Sequence, residues 1–196
     1  MPVIMDSYTE RDMLIQARDL YYSGDIEEAV KCYMQLAMKG NVVSQEFLGG
    51  LYLKGEKGVG INLVEANKWL TKAADSGSVK ARYLLGIAAF KRGSVSDAVK
   101  LFSSAGKDGY SAGYYQLGKM YYFGSGVTRD EDKAYEWFHK AADMGHIFAK
   151  RQLSIMLLKG YRGMLYVPRG MILFITSILV GIRSAIKDPY GETTFD

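Results

Sequence analysis

Apolar and aromatic residues recur three and four positions apart along most of the chain, which is the periodicity of α-helices. Leu48 and Leu51 follow this spacing in one segment, and Tyr114, Leu117 and Tyr121 follow it in another. Tight turns rich in glycine and serine separate the periodic segments. The pattern therefore predicts an all-α fold of short antiparallel helices.

Two sets of residues mark an internal repeat. The phrase WLTKAADSG at residues 69–77 returns as WFHKAADMG at residues 137–145. A first anchor, always a small residue, recurs at intervals of 32, 37, 32 and 36 residues: Ala17, Gly49, Gly86, Gly118 and Ser154. A second anchor stands eight residues before a glycine and recurs in step: Cys32, Trp69, Leu101 and Trp137. Repeats of this length predict stacked helical pairs, because one pair buries too little apolar surface alone.

The two anchors predict the core of the stack. We expect the small first anchor to let a neighbouring helix approach closely, and the second to fill the gap between repeats. The predicted repeat core is Gly49, Trp69, Gly86, Leu101, Gly118 and Trp137. The predicted organisation is a lead at 1–9, a repeat array at 10–160, an atypical hydrophobic helix region at 161–186 and a polar tail at 187–196.

The long repeats carry a recognisable motif. It consists of a small-residue anchor, then G-x-G-V, an acidic helix start and K-A-x-x-W-x-x-K-A-A-x-x-G. This motif resembles that of the Sel-one-like repeat (SLR) family, a relative of tetratricopeptide repeats. Residues 117–146 match almost in full, and residues 48–77 match except that Asn62 stands where an acidic residue is usual. The resemblance covers roughly residues 10–160. It implies a right-handed α-solenoid of about five helix pairs, with non-catalytic adaptor or scaffold work, often in bacterial signalling, envelope biogenesis or host contact.

The residues that could carry chemistry form no catalytic or metal-binding pattern. His139 and His146 have no cysteine or acidic partner at ligand spacing, and Cys32 stands at a core-type position. The glycine-rich stretch at 55–60 is not followed by the Lys-Ser or Lys-Thr of a phosphate loop. We therefore predict no enzyme activity, no cofactor and no metal. With one cysteine and no signal-like start, the predicted location is the cytoplasm.

A partner-binding face is predicted on the first helix of each repeat, which lines the concave side of tetratricopeptide-like stacks. Its outward positions are rich in tyrosine and basic residues: Arg11, Arg18, Tyr21, Tyr22, Lys54, Lys80, Tyr83, Lys91, Tyr115, Lys119, Tyr122 and Arg151. One interpretation is a solvated surface with tyrosines packed between helices. The other is a groove for an acidic segment of a partner protein. A net charge of +4 argues against nucleic acid as the partner.

The last apolar segment breaks the repeat pattern. Residues 170–182 carry no charge and lie between Arg169 and Arg183. We expect a fifth second helix that also contacts a partner or a second copy of the chain, through Met171, Leu173, Phe174, Ile178, Leu179 and Ile182. The alternative is a membrane-tethered scaffold of an envelope or secretion system, anchored at the inner membrane by residues 163–182. A small immunity-type binding protein is a further alternative.

Overall fold

The computed structural model describes residues 9–161 and 167–187, and within these ranges the chain forms ten α-helices and no strand. The helices are α1 Glu10–Ser23, α2 Ile26–Met38, α3 Val42–Lys54, α4 Leu63–Asp75, α5 Val79–Lys91, α6 Val95–Lys107, α7 Ser111–Phe123, α8 Glu131–Asp143, α9 Ile147–Leu158 and α10 Val167–Lys187. The predicted all-α class is confirmed. Most of the predicted lead and polar tail lies outside the described ranges.

The chain divides into two compact units. The N-terminal unit, Met1–Ser94, contains α1 to α5, and the C-terminal unit, Val95–Asp196, contains α6 to α10. Consecutive helices pack side by side within each unit. In the N-terminal unit the first helices α3 and α5 also contact each other directly, as expected for stacked repeats.

Polar caps and glycines fix where the helices begin and end. Asn62 accepts hydrogen bonds from the backbone N–H groups of Val64 and Glu65, each at 3.1 Å, and so caps α4. Asp130, at the same position of the later repeat, caps α8 through the N–H of Lys133 at 2.9 Å. Asn62 therefore departs from the usual acidic residue without loss of the cap, because asparagine and aspartate both accept these bonds.

The small first anchors allow very close helix contacts. A Cβ atom on Gly49 would lie 2.4 Å from Leu70 Cγ, and a Cβ on Gly118 would lie 2.4 Å from Cδ1 of Phe138. Ala17 and Ser154, at the same repeat position, are fully buried. Only a residue without a long side chain fits where the second helix presses a large apolar group against the first.

The second anchor is less uniformly buried than its sequence pattern predicts. Trp69 is buried, but Leu101 and Trp137 are only partly buried. The position that is buried in all four of these repeats is one residue later. It carries Tyr33, Leu70, Phe102 and Phe138, which are 5%, 0%, 3% and 0% exposed. One residue turns a helix by about 100°, so this next residue is the one that faces the core. Trp137 instead stacks on Tyr114 with ring centroids 5.4 Å apart.

The last helix packs closely against α9. A Cβ on Gly170 would lie 3.0 Å from Leu157 Cβ and 3.1 Å from the carbonyl oxygen of Ser154, so this glycine allows the helices to touch. Ser177, two turns further on, is also buried. Among the residues that the structure describes, no helix is both long and apolar enough to cross a membrane.

Candidate partner-binding face

The predicted partner-binding residues divide into exposed and half-buried groups. The exposed ones are Arg11, Arg18, Tyr22, Lys54, Lys91 and Arg151. The half-buried ones are Tyr21, Lys80, Tyr83, Tyr115, Lys119 and Tyr122. All of them lie on first helices, but they fall into both units, so each unit is described by itself.

In the N-terminal unit, aromatic rings form a continuous chain that ends at the surface. Tyr33 stacks on Phe47 at 3.9 Å, Phe47 meets Tyr21 edge-on at 4.9 Å, and Tyr21 meets Tyr22 at 5.8 Å. Tyr33 lies deepest, and burial raises its pKa to about 12. Tyr22 lies at the other end and is 67% exposed. The chain thus connects the core to an exposed tyrosine.

Lys57 completes this aromatic cluster, although the sequence pattern did not identify it. Its Nζ atom lies 4.0 Å above the ring of Tyr21 and 5.5 Å from that of Tyr22. The same Nζ donates to the backbone carbonyl of Tyr21 at 2.7 Å. Its φ angle of 52° is a conformation that non-glycine residues rarely adopt. The only available signal was the position of Lys57 in the inserted loop between α3 and α4, which we interpreted as a turn.

Several predicted cations of the N-terminal unit already have internal partners. Arg18 Nη2 lies 3.5 Å from Asp19 Oδ1, and Lys54 Nζ lies 3.5 Å from Glu56 Oε1. Lys91 donates to the carbonyl oxygen of Leu53 at 2.9 Å and thereby joins α5 to α3. These side chains therefore have structural roles beside any role in binding.

In the C-terminal unit, a second chain of rings runs over α7 and the start of α9. Tyr115 stacks on His146 at 4.5 Å and lies 5.7 Å from the buried ring of Phe138. Tyr122 lies 6.3 Å from the same ring and meets Phe123 edge-on at 4.9 Å. Phe148 lies at the other end of this chain of rings, with its ring centroid 6.4 Å from that of Tyr115. We call the partly or largely exposed members the aromatic face: Tyr115, Tyr122, Phe123, His146 and Phe148.

Two members of the aromatic face were missed from the sequence. Phe123 is 64% exposed and Phe148 is 61% exposed. Phe123 stands five residues after its anchor, as Tyr22 does, and Phe148 stands six residues before its anchor, as Arg11 does. The repeat register therefore contained the signal, but the predicted face was defined by tyrosine and basic residues, and these two positions carry phenylalanine.

The aromatic face is bordered by cations without acidic neighbours. Lys119 Nζ lies 5.7 Å from the centre of the Tyr115 ring. Arg151 is exposed on α9 three residues after Phe148, a spacing that puts both residues on one side of the helix. Neither α7 nor α9 contains an acidic residue. In the part of the chain that the structure describes, no carboxylate lies within ion-pair distance of Lys119 or Arg151. Their positive charges remain available to an external acidic group.

His146 connects the aromatic face to the start of α9. It caps this helix: its Nδ1 atom accepts the backbone N–H of Ala149 at 3.2 Å. Burial lowers the pKa of the imidazole, because a partly buried ring loses water that would stabilise its charge. The neutral ring is also the form that can accept at Nδ1.

The predicted contact residues of α10 lie on two different faces. Met171, Ile178, Leu179 and Ile182 are exposed. Leu173 and Phe174 are half-buried and flank the side on which Gly170 and Ser177 lie against the rest of the unit. They therefore belong partly to the intramolecular packing.

The described residues provide no group of three or more histidine, cysteine or acidic side chains that could hold a metal ion. Cys32 is half-buried, and burial, with a smaller effect of Glu28, raises the pKa of its thiol. A raised pKa reduces the thiolate population that a nucleophile requires.

Comparison with known proteins agrees with this architecture. The family model of the Sel1 repeat matches residues 16–41, 42–78 and 111–146, about half of the chain. The exopolysaccharide production negative regulator of Rhizobium meliloti is 30% identical over 64% of this chain and 53% of its own length. The chitin synthase regulator SKT5 of Saccharomyces cerevisiae is 29% identical over 60% of this chain but only 18% of its own. The chain thus spans about half or less of these curated relatives.

Two crystal structures show the same fold. A Sel1 repeat protein from Oxalobacter formigenes superposes with a TM-score of 0.69 at 25% identity, covering 85% of this chain and 69% of that one. A protective antigen of uropathogenic Escherichia coli with an SLR fold gives a TM-score of 0.66 at 26% identity, over 88% of this chain and 38% of that one. These matches identify the fold as an all-α solenoid.

Proposed function

We propose, from the premise that the chain belongs to the Sel1 repeat family, that it is a scaffold that binds an acidic segment of a partner protein at the aromatic face of its C-terminal unit. Sel1 repeat proteins are generally non-catalytic protein-interaction scaffolds. The curated relatives are named as regulators, which supports a regulatory role for a scaffold of this kind. The partner itself is defined here by its chemistry alone.

The observation that carries the proposal is the combination of exposed rings with unmatched positive charge. Phe123 and Phe148 present large apolar area at the two ends of the face, and Tyr115 and Tyr122 are held between them on the buried ring of Phe138. Aromatic side chains contribute much contact area at little cost in side-chain entropy. Lys119 and Arg151 then attract and orient an acidic segment.

Binding is tested with a library of random peptides displayed on phage and selected on the full chain. We expect the selected peptides to combine aspartate or glutamate with apolar residues. Dissociation constants are then measured by fluorescence anisotropy with the double variant Lys119→Glu, Arg151→Glu. Each lost charge-assisted contact corresponds to about 1–2 kcal/mol, so binding should weaken by at least about tenfold and depend less on salt.

The matched control reverses two exposed lysines on a second helix of the same unit, Lys100→Glu and Lys107→Glu on α6. This control changes the net charge equally but leaves the aromatic face intact, so peptide affinity should stay within about twofold of the wild-type value. Selection of peptides without acidic residues, or equal weakening by both double variants, would remove the aromatic face from the proposal.

A further inference from the structure

The last helix presents an aliphatic stripe that no described part of the protein covers. Its inner side, with Gly170 and Ser177, packs against the C-terminal unit. The outer side carries large aliphatic residues at helical spacing, all exposed: Met171, Ile172, Ile175, Ile178, Leu179 and Ile182. A contiguous stripe of exposed apolar side chains marks an interaction surface.

Two arginines and a threonine line one edge of this stripe. Arg169, Thr176 and Arg183 follow each other at seven-residue intervals, and all three are exposed. Seven residues are close to two helical turns, so the three side chains leave α10 on the same side. They lie next to Ile172 and Leu179, which have the same seven-residue spacing. The exposed surface of α10 is therefore amphipathic, with an aliphatic stripe beside a cationic edge.

The positive charge of the whole chain is concentrated in the same region. Residues 144–187 contain seven lysines and arginines and no aspartate or glutamate, a net charge of +7. Because the full chain has 25 basic and 21 acidic residues, the rest carries 18 basic and 21 acidic residues, a net charge of −3. The uncovered apolar stripe thus lies in the one strongly basic segment of the sequence.

We infer that α10 binds flat on the surface of an anionic lipid bilayer, with its aliphatic stripe in the boundary between headgroups and acyl chains and with Arg169 and Arg183 on the lipid phosphates. An amphipathic helix with aliphatic residues on one face and cations at its edge is the arrangement that binds such interfaces. The inner face of α10 stays packed on α9, so the helix lies on the bilayer and does not cross it.

The charge distribution favours a bilayer over a second copy of the chain. Pairing two copies through α10 would bring two segments of net charge +7 together. The composition of the stripe also favours lipid over a protein partner, because its exposed large side chains are all aliphatic, whereas protein hot spots are enriched in tryptophan, tyrosine and arginine.

The exposed hydroxyl group in the middle of α10 is suited to an apolar boundary. Thr176 Oγ1 donates to the carbonyl of Leu173 at 3.0 Å and is thus satisfied within the helix. Ser177 lies on the inner side, where its Oγ donates to the carbonyl of Phe174 at 2.8 Å. A group bonded in this way costs less to move away from water than one with no internal partner.

Sedimentation with vesicles tests the inference. The full chain is mixed with vesicles of phosphatidylcholine alone, or with vesicles in which about a third of the lipid is phosphatidylglycerol. We expect binding to the anionic vesicles that weakens as salt is added. Ile175→Gln with Leu179→Gln should weaken it by tenfold or more, and Arg169→Gln and Arg183→Gln by roughly fivefold each.

The control introduces glutamine at two exposed valines of the N-terminal unit, Val43→Gln with Val64→Gln, and should bind as the wild type does. Circular dichroism and light scattering on each variant establish that the fold and the oligomeric state are unchanged. The inference is overturned if the full chain ignores anionic vesicles, or if the stripe variant binds them equally well. A wild-type dimer that the stripe variant makes monomeric, without vesicle binding, would assign α10 to a second copy instead.

Discussion

Replacing Gly118 with alanine tests how far the small anchor controls both packing and the aromatic face. Gly118 lies in the middle of α7, and an added Cβ would lie 2.4 Å from Cδ1 and 2.5 Å from Cε1 of Phe138. Ordinary carbon–carbon contacts are about 3.5–4.0 Å, so the ring must move by about 1 Å or more. Phe138 is fully buried, and the space around it is already filled.

The expected magnitude is the balance of two opposing effects. Overpacking a filled core costs about 1–3 kcal/mol, and full burial of Phe138 places this site near the upper value. Alanine in a helix interior is about 1 kcal/mol better than glycine. The net loss is then about 2 kcal/mol, which lowers the unfolding midpoint of a chain of this length by about 4–8 °C.

A glycine in another first helix provides the matched control. Gly50 lies within α3, and its added Cβ would meet only Leu84 Cδ1, at 4.0 Å. Gly50→Ala therefore gains helix propensity without a clash and should raise the midpoint by about 1–4 °C. Both midpoints are measured by circular dichroism, and the two substitutions should shift them in opposite directions.

Gly118→Ala should also weaken peptide binding, because it displaces the ring of Phe138, which both Tyr115 and Tyr122 contact. A midpoint that rises in Gly118→Ala as it does in Gly50→Ala would refute the close-approach argument. A lower midpoint with unchanged peptide affinity would separate the packing of Phe138 from the geometry of the aromatic face.

Two further substitutions test single hydrogen bonds. The folded-state pKa of His146 is lowered from 6.5, so its contribution to stability is complete above about pH 6.5 and is lost as the pH falls through the folded value. His146→Asn keeps a cap for Ala149 without titrating, so urea unfolding at about pH 7.5 and about pH 5 should show a smaller pH dependence than the wild type. Trp69 Nε1 donates to Glu65 at 3.0 Å, so Glu65→Ala leaves a buried N–H without its partner. It should destabilise the fold by about 1–3 kcal/mol in urea unfolding, whereas Glu65→Gln keeps an acceptor and should lose less.

The repeat and its small anchors could be predicted from the sequence because they are strict steric requirements. Gly49 and Gly118 admit no larger side chain where Leu70 and Phe138 press against them. A requirement of this kind repeats in every pair and leaves a periodic trace in the sequence. Helix caps leave the same trace, as Asn62 and Asp130 illustrate.

The exact core position of the second helix could not be predicted as well. Tryptophan is the most conspicuous residue of the motif, yet Trp137 lies beside the core while the less conspicuous Phe138 fills it. Both residues are apolar, and a shift of one position preserves every repeat interval. Periodicity alone therefore does not decide which of two adjacent large residues points inward.

The interactions of the surface cations depend on contacts that sequence spacing does not contain. Lys57 reaches back from an inserted loop to the end of α1, 36 residues earlier. Lys91 binds a carbonyl 38 residues earlier, so a lysine predicted for partner binding holds two helices together. Such contacts depend on how the repeats stack, and only the folded structure distinguishes these lysines from Lys119.

Outward repeat positions have no steric requirement in common, and this is why function can differ along one regular fold. The position five residues after the anchor carries Tyr22, Lys54, Lys91, Phe123 or Lys159 in successive repeats. Stacking constrains the anchor but leaves this outward position free to vary in size and charge. A partner therefore recognises the departures from the repeat and not the repeat itself. On this argument, exchanging Phe123 for the lysine found at the same position of its neighbours should preserve the fold and alter recognition at the aromatic face.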